Sequence, residues 1–517
     1  MTLRHPVAVA ILAVLAAAVF GILLRPLTPI DETRYLSVAW EMHQTGNWLV
    51  PSKNFAPYSD KPPLLFWAVN LVWLFTGVSE FTGRLVVPAF AALAIWLCAR
   101  LAGRLWPDEA GIGGRAALAL AGLVVFDLSA GLTMFDVPLA VATLTGLLCL
   151  VDARDRPASL WPWAGFGAAL AMGVLAKGPV ILFHLLPAAI LVPWWGGARL
   201  RWSRLLPRLC LGLLVALALV ALWLVPAVMG GGPAYRDAIL WHQSAGRLSE
   251  SFAHARPIWF YLALLPVVGF PLILSPALWR AARATRWLAE PGLRLCLIWL
   301  GAALVLFSLT SGKQLHYLVP ELAAAALIAA RLSRGLSGFS LLPAGLVLGL
   351  LALGAILAGA GLVPLGKAGE MLEPRSALIA WALLVLAICW LAVREGGFAG
   401  AMLISLGGLC ATNLLIGITE VGPNFSTHPI AEALAPYDKQ GIAYTGAAYH
   451  AEFNLPARLT RPVATPVDAG ALADWSRSHP QGVILAGQGP DAPSWSPFKT
   501  FRFRARDYGL WSVADAP

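Results

Sequence analysis

Residues 205–228 read LLPRLCLGLLVALALVALWLVPAV, and after Arg208 no charged residue occurs as far as Val228. A membrane-crossing helix needs about 20 predominantly apolar residues, and this stretch supplies them. Reading outward in both directions, similar runs recur from residue 6 to residue 418. Of the 517 residues, 59% are hydrophobic and only 12% are charged, against about 25% charged in a soluble domain. That balance excludes a soluble enzyme, a disordered chain and a nucleic-acid-binding domain as readings of the whole, and no nucleic-acid partner is expected. It predicts a polytopic α-helical membrane protein, with membrane lipids as its surroundings.

The net charge of +10 comes from 37 basic and 27 acidic residues. Cytoplasmic loops of membrane proteins collect Lys and Arg. The arginines cluster at 100, 104 and 115, at 154 and 156, between 199 and 208, between 280 and 294, at 331 and 334, and at 394. All fall on one face if the short run 63–78, after Lys61-Pro62-Pro63, is juxtamembrane or re-entrant. About 13 spans then remain, with the N-terminus cytoplasmic and the C-terminus outside. The stretch 6–28, preceded by Arg4 and His5, is read as a retained first helix. The six cysteines lie in apolar runs without a CxxC, which suits packing.

The division expected is 1–420, a transmembrane module with a large first outer loop at 29–82, and 421–517, a small extracytoplasmic α/β domain. The second rests on strand-length apolar runs at Gly441–Tyr444 and Val483–Ala486 between helical patches.

None of the seven lysines falls in a predicted cytoplasmic loop. Lys53, Lys61, Lys177 and Lys313 join other polar residues on the outer side. The first loop carries Asp31, Glu32, Arg34, Tyr35, Tyr58, Asp60 and Arg84, and the next begins at Asp136. The segment 229–256 offers His242 and Arg247, and the turn 311–317 offers His316 and Tyr317. A single Lys or Tyr at a helix end often anchors at the interface, and Asp31 or Glu32 can cap a helix or favour its dipole. Convergence of several segments at one depth points instead to a functional cavity. Clustered Lys and Arg suit a phosphate. Asp31 and Asp136 suit a general base or a cation partner. Phosphate plus carboxylate at a membrane surface predicts a lipid-phosphate substrate. Asp60 and His242 have the chemistry of ligands for a divalent metal such as zinc.

The segments Asp31-Glu32-Thr33-Arg34-Tyr35, Gly46–Pro51 and Tyr58-Ser59-Asp60-Lys61-Pro62-Pro63-Leu64 resemble the first outer loop of bacterial glycosyltransferases of the GT-C fold. The nearest families are the protein-mannosyltransferase-like and the aminoarabinose (lipid A) transferase-like ones. Phe135-Asp136-Val137-Pro138, Leu175–Gly178 and Gly312-Lys313 with Tyr317 follow in the same order, so the resemblance covers about residues 25–330. It implies an inverting transferase acting on the periplasmic face of the bacterial inner membrane. The sugar comes from a polyprenyl-phosphate carrier and passes to lipid A or another envelope acceptor, whether lipid, glycan or protein. It makes Asp31 and Asp136 the catalytic carboxylates. Arg34, Arg84, Lys61, Lys177 and Lys313 become carrier-phosphate or cavity residues, and Tyr317 a donor-phosphate contact. Tyr35, Tyr58 and Arg247 are further candidates for substrate binding. In the aminoarabinose branch, an acid at the position of Asp60 and a histidine at that of His242 hold zinc; here that acid is Asp instead of the usual Glu. The competing reading is a transporter or flippase of a lipid-linked sugar. Neither an internal repeat nor matching broken helices in two halves favour it.

Overall fold

The structure, a computed structural model, describes residues 5–197, 202–239, 256–366, 368–446, 448–489 and 492–516. Among these, eight helices are long and apolar enough to cross a bilayer: Pro6–Leu24, Glu80–Leu105, Asp136–Asp155, Ser203–Gly230, Pro291–Leu309, Leu342–Gly359, Ser376–Glu395 and Gly397–Ile418. The pair Ile112–Leu120 and Val124–Ala130, bent by 72°, makes nine if it is one broken span. About 13 spans were expected from the apolar runs. The difference arises because several runs do not form one continuous helix. Residues 257–282 split into the helix Phe260–Val268, the 3-10 turn Leu272–Leu274 and the helix Pro276–Ala284. Residues 178–196 break at Leu191 into Ile181–Ile190 and Val192–Trp195. Composition registers an apolar run, while proline and local turns decide whether it stays one helix. The run 63–78 forms the 13-residue helix Leu64–Thr76, about 20 Å long at 1.5 Å per residue and too short for a core of about 30 Å.

Burial separates the helices into inner and outer ones. Asp136–Asp155 is central, with 78% of its apolar window buried, whereas Ser203–Gly230 has 22% buried. The latter exposes Leu214, Leu217 and Leu222, a surface suited to lipid tails and not to water. Close approach uses small residues, as is usual between membrane helices. A Cβ at Gly167 would stand 2.3 Å from the carbonyl oxygen of Gly212 on the neighbouring helix.

The two ends of the bundle differ. At one, Arg104 pairs with Asp152 at 2.5 Å and Asp155 at 3.1 Å, and Arg331 bridges Glu109 at 2.6 Å and Glu290 at 2.5 Å. Several arginine clusters from the sequence therefore meet there. The helices Glu80–Leu105 and Asp136–Asp155 run from this end to the other, where Arg84, Asp136 and Lys177 lie.

The first loop contains the helix Asp31–Thr45, ended by Gly46 in the left-handed region (φ 68°). A short hairpin follows, β1 (Ser52–Lys53) with β2 (Ala56–Pro57). The C-terminal part forms a four-stranded sheet in the order β3-β4-β6-β5 from β3 (Ile442–Thr445), β4 (Val483–Gly487), β5 (Lys499–Phe503) and β6 (Arg506–Ser512). β3 and β4 are parallel and the other pairs antiparallel. The helix Ala469–Ser478, capped by the Asp468 side chain, lies between the parallel strands in sequence. Both runs read as strands from the sequence are strands, which gives the small sheet domain expected.

That domain docks on the first loop. Glu41, fully buried on the helix Asp31–Thr45, accepts from Ser52 Oγ (2.8 Å), the backbone N–H groups of Asn54 and Phe55 (2.7 Å each) and Asn454 Nδ2 (2.8 Å). Burial pushes the Glu41 carboxyl up, against these hydrogen bonds. Ser37 Oγ accepts from the Leu455 N–H, and Trp40 Nε1 donates to the Leu459 carbonyl. Asn54 exchanges two hydrogen bonds with the Val463 backbone.

Candidate active site

A cavity of about 450 Å³ opens at the end of the bundle opposite the arginine clusters, lined by Thr28, Pro29, Asp31, Glu32, Leu132, Met134, Arg256, Phe260, Lys313, Gln314, Leu315 and His316. Asp31 stands at the start of its helix with 48% of its side chain exposed and pairs with Arg34. Arg34 also donates to the Tyr35 hydroxyl at 3.2 Å and lies over that ring. Tyr35 is buried edge-on against Phe135, with ring centroids 4.8 Å apart. Burial raises its phenol, so it is a neutral hydroxyl at physiological pH.

Glu32, the next residue, is buried and acts as a brace. Arg25 pairs with it, and Arg84 lies 3.9 Å away. Its oxygens also accept from the N–H groups of Thr28 (3.0 Å) and Thr133 (2.9 Å). Burial pushes this carboxyl up, but the charges of Arg25 and Arg84 and the hydrogen bonds outweigh it and hold the group at about 2. Arg25 further donates to the Gly131 carbonyl. The helix bearing Asp31 is thus tied to the segment that leads into Asp136.

Asp136 begins its helix, buried and ion-paired to Lys177. Lys177 is the last residue of the helix Trp161–Lys177, which ends where Gly178 takes φ 81°. The Lys177 ammonium lies 4.6 Å from the centre of the Tyr317 ring. Lys61 lies 5.8 Å from the centre of the Phe135 ring, beside Asp136 in sequence. Lys313 is buried, and its ammonium donates to the carbonyls of Arg256 (3.0 Å) and Thr310. His316 and Tyr317 occupy the 3-10 turn Leu315–Leu318.

Of the residues singled out from sequence, Asp31 and Lys313 line the cavity. Arg34, Tyr35, Lys61, Asp136, Lys177 and Tyr317 gather around those two through the contacts above. Tyr58 is buried beneath Lys53, whose ammonium lies 5.8 Å from its ring centre. Arg84 is placed differently: it is buried below the cavity, donating to the carbonyls of Ile22 (3.1 Å) and Arg25 (3.0 Å). His242 and Arg247 lie outside the described residues. Among the described residues, no group of three or more His, Cys, Asp or Glu converges as metal ligands would. Asp60 therefore has no such ligand set there, and no chemistry is routed through a metal. Glu32, Arg256 and His316 are cavity residues that were not selected from sequence as site residues.

Residues 60–225 match the family model for dolichyl-phosphate-mannose-protein mannosyltransferase. The arabinosyl transferase 2 acting with undecaprenyl phosphate-alpha-4-amino-4-deoxy-L-arabinose in Pseudomonas fluorescens (strain Pf0-1) is 32% identical over 303 residues, 58% of this chain and 54% of that protein. Its counterpart in Pseudomonas aeruginosa (strain LESB58) is 35% identical over 311 residues, with the same coverage of both chains. The alignments thus span about half the length of these curated relatives. The crystal structure of ArnT from Cupriavidus metallidurans in the apo state superposes with a TM-score of 0.74 at 22% identity, over 99% of this chain and 98% of that one. The form bound to undecaprenyl phosphate gives 0.73 at 21%, over the whole of both chains.

The class is therefore that of polytopic membrane proteins with the GT-C fold and a small C-terminal sheet domain. Within it, the chain is similar to the aminoarabinose transferases, the family that its loop motifs resemble.

Proposed function

We propose that the chain is an inverting glycosyltransferase that takes a sugar from a polyprenyl-phosphate carrier at the periplasmic face of the bacterial inner membrane. The acceptor is lipid A or another envelope molecule. Residues 1–420 form the catalytic module in this reading, with the first outer loop at 29–82, and residues 421–517 the periplasmic domain. The arginine clusters opposite the cavity support a cytoplasmic N-terminus. The observation that carries the proposal is the cavity itself. It combines a half-exposed carboxylate, Asp31, with the cations of Arg256 and Lys313 at the boundary of an apolar bundle. The relatives are named as transferases, which supports an enzyme over a flippase.

The donor phosphate is the leaving group. As its bond to the anomeric carbon breaks, the electron pair stays on the phosphate oxygen. Cations fixed beforehand at the cavity stabilise that growing charge: Lys313, Arg256 and Lys61, with Tyr317 held by Lys177. The acceptor attacks from the other face, so the configuration inverts. A hydroxyl acceptor gives its proton to Asp31. A phosphate acceptor is already ionised, and Asp31 then orients the sugar or balances oxocarbenium charge. Asp136, neutralised by Lys177, fixes the cation and not the proton. Arg34, Tyr35 and Tyr58 build the wall that holds Asp31.

The test is Asp31→Asn in membranes supplied with a polyprenyl-linked sugar. General-base loss costs about 10²–10⁴ in rate, so transfer falls at least about a hundredfold while donor binding persists. Near-normal transfer rules out an essential role for this carboxylate. The zinc implied by resemblance is tested by chelation. Unchanged transfer excludes a metal at Asp60 and His242, and loss restored by zinc supports one.

A further inference from the structure

His316 has no role in the account above, yet it lines the cavity. The turn that carries it is fixed at its start: the Tyr261 hydroxyl donates to the Gln314 carbonyl at 3.2 Å and accepts from the Gln314 N–H at 3.3 Å. The ring stands edge-on to Tyr317, with centroids 5.0 Å apart. Four other histidines have side-chain hydrogen-bond partners. His43 meets Asn70, His184 meets Glu321, His428 meets Glu80 and His479 meets the Trp475 carbonyl. No such partner among the described residues holds the ring nitrogens of His316, and they are not among the sealed, unpartnered atoms of the interior. They are available to a ligand in the cavity.

Charged groups from several elements surround this ring. Asp31 comes from the first-loop helix, Asp136 from the start of a central span and Lys177 from the end of another. Lys61 comes from the first loop, Lys313 from its own turn and Arg256 from the segment paired with that turn. Burial lowers the imidazole to about 4; Asp136 and Asp31 oppose this, and Lys177 and Lys61 add to it. The ring is therefore neutral near pH 7. An anionic ligand that cancels the field of the lysines shifts the balance toward imidazolium.

We propose that His316 is the donor-sensing residue of the cavity: it stands neutral when the cavity is free, takes up a proton when an anionic phosphodiester enters, and hydrogen-bonds that phosphate as it leaves. The inference rests on the donor reading above and adds a proton to it. In the transfer step the bond between the anomeric carbon and the phosphate oxygen breaks, and the acceptor oxygen forms the new bond. The phosphate passes from one negative charge to two. The imidazolium keeps its proton throughout and returns it to solvent once the product phosphate has gone.

The experiment uses the full chain in nanodiscs and a prenyl methyl phosphate diester, whose single charge does not titrate near neutrality. Binding is followed by calorimetry at pH 6 in two buffers of different ionisation enthalpy, and affinity is followed from pH 5 to pH 8. Wild-type protein shows net proton uptake, and its affinity weakens with rising pH by up to about tenfold per unit. In His316→Gln, and equally in His316→Asn, the uptake is lost and affinity is flat with pH. Binding without proton uptake in the wild type, or equal uptake in either variant, overturns this inference and leaves the donor reading standing. A diester that does not bind overturns the donor reading, and this inference with it.

Discussion

Glu32→Gln removes the charge that holds two guanidiniums, the buried one of Arg84 and the partly buried one of Arg25, and its cost can be worked from the structure. The carboxyl is held at about 2 against an ordinary 4.5. At about 1.4 kcal/mol per unit, that difference corresponds to about 3 kcal/mol of preference for the folded state. Breaking one partner of a buried pair gives a similar figure, about 3–5 kcal/mol. The folded value is depressed, so this stabilisation is fully present above pH 4.5 and is lost as pH falls toward 2. Unfolding entropy of about 2.1 cal/mol/K per residue converts 3 kcal/mol into a fall of at least about 3 °C in Tm for a chain of this length. The assay is tryptophan fluorescence during heating of the purified protein at pH 7.5, since 22 tryptophans report on the bundle. Adding Arg84→Met to Glu32→Gln recovers part of the loss, because an unpaired buried cation has gone. Transfer also slows, on the order of tenfold in kcat, because the segment before Asp136 loses its tie to the Asp31 helix. A Glu32→Gln protein with unchanged Tm and kcat refutes this reasoning.

Two further predictions concern the C-terminal domain. Asn454→Ala removes one of the donors to buried Glu41, at about 1–3 kcal/mol; limited proteolysis between residues 418 and 428 accelerates, and an unchanged rate contradicts the docking described. The hydrogen bond that its Nε2 donates to the Glu80 carboxylate raises the His428 imidazole above its ordinary 6.5. This small, half-exposed contribution is present below pH 6.5 and is lost as pH rises through the raised value. Protease resistance of the wild type therefore declines slightly from pH 6 to pH 8, and His428→Gln abolishes that dependence.

The apolar spans were legible because lipid demands composition, not sequence detail. The strands 442–445 and 483–487 were legible as short apolar runs between turns. Asp31, Asp136, Lys177 and Lys313 could be placed at one end because charge at a span boundary is rare enough to stand out. The breaks inside apolar runs were not legible from proline alone, since Pro187 lies within the helix Ile181–Ile190, which ends three residues later, while Pro226 lies within the continuous helix Trp202–Gly230. The role of Glu32 was hidden for another reason. An acid in a first helical turn reads as a dipole partner, whereas Glu32 is ion-paired to Arg25 just upstream and further held by Arg84 and Thr133, far along the chain. Asp127 likewise pairs with Ser405, 278 residues away. His316 read as one polar residue of a turn, and only the assembled cavity separates it from its neighbours.

The central claim is sugar transfer from a lipid phosphate. The direct measurement incubates the purified chain with a panel of polyprenyl-phosphate sugars and a crude envelope extract, follows products by mass spectrometry, and runs Asp31→Ala in parallel. The account predicts an acceptor whose mass rises by one sugar, formed by the wild type and lost in the variant. Movement of lipid-linked sugar across a vesicle bilayer without any such product, from every carrier offered, would contradict it.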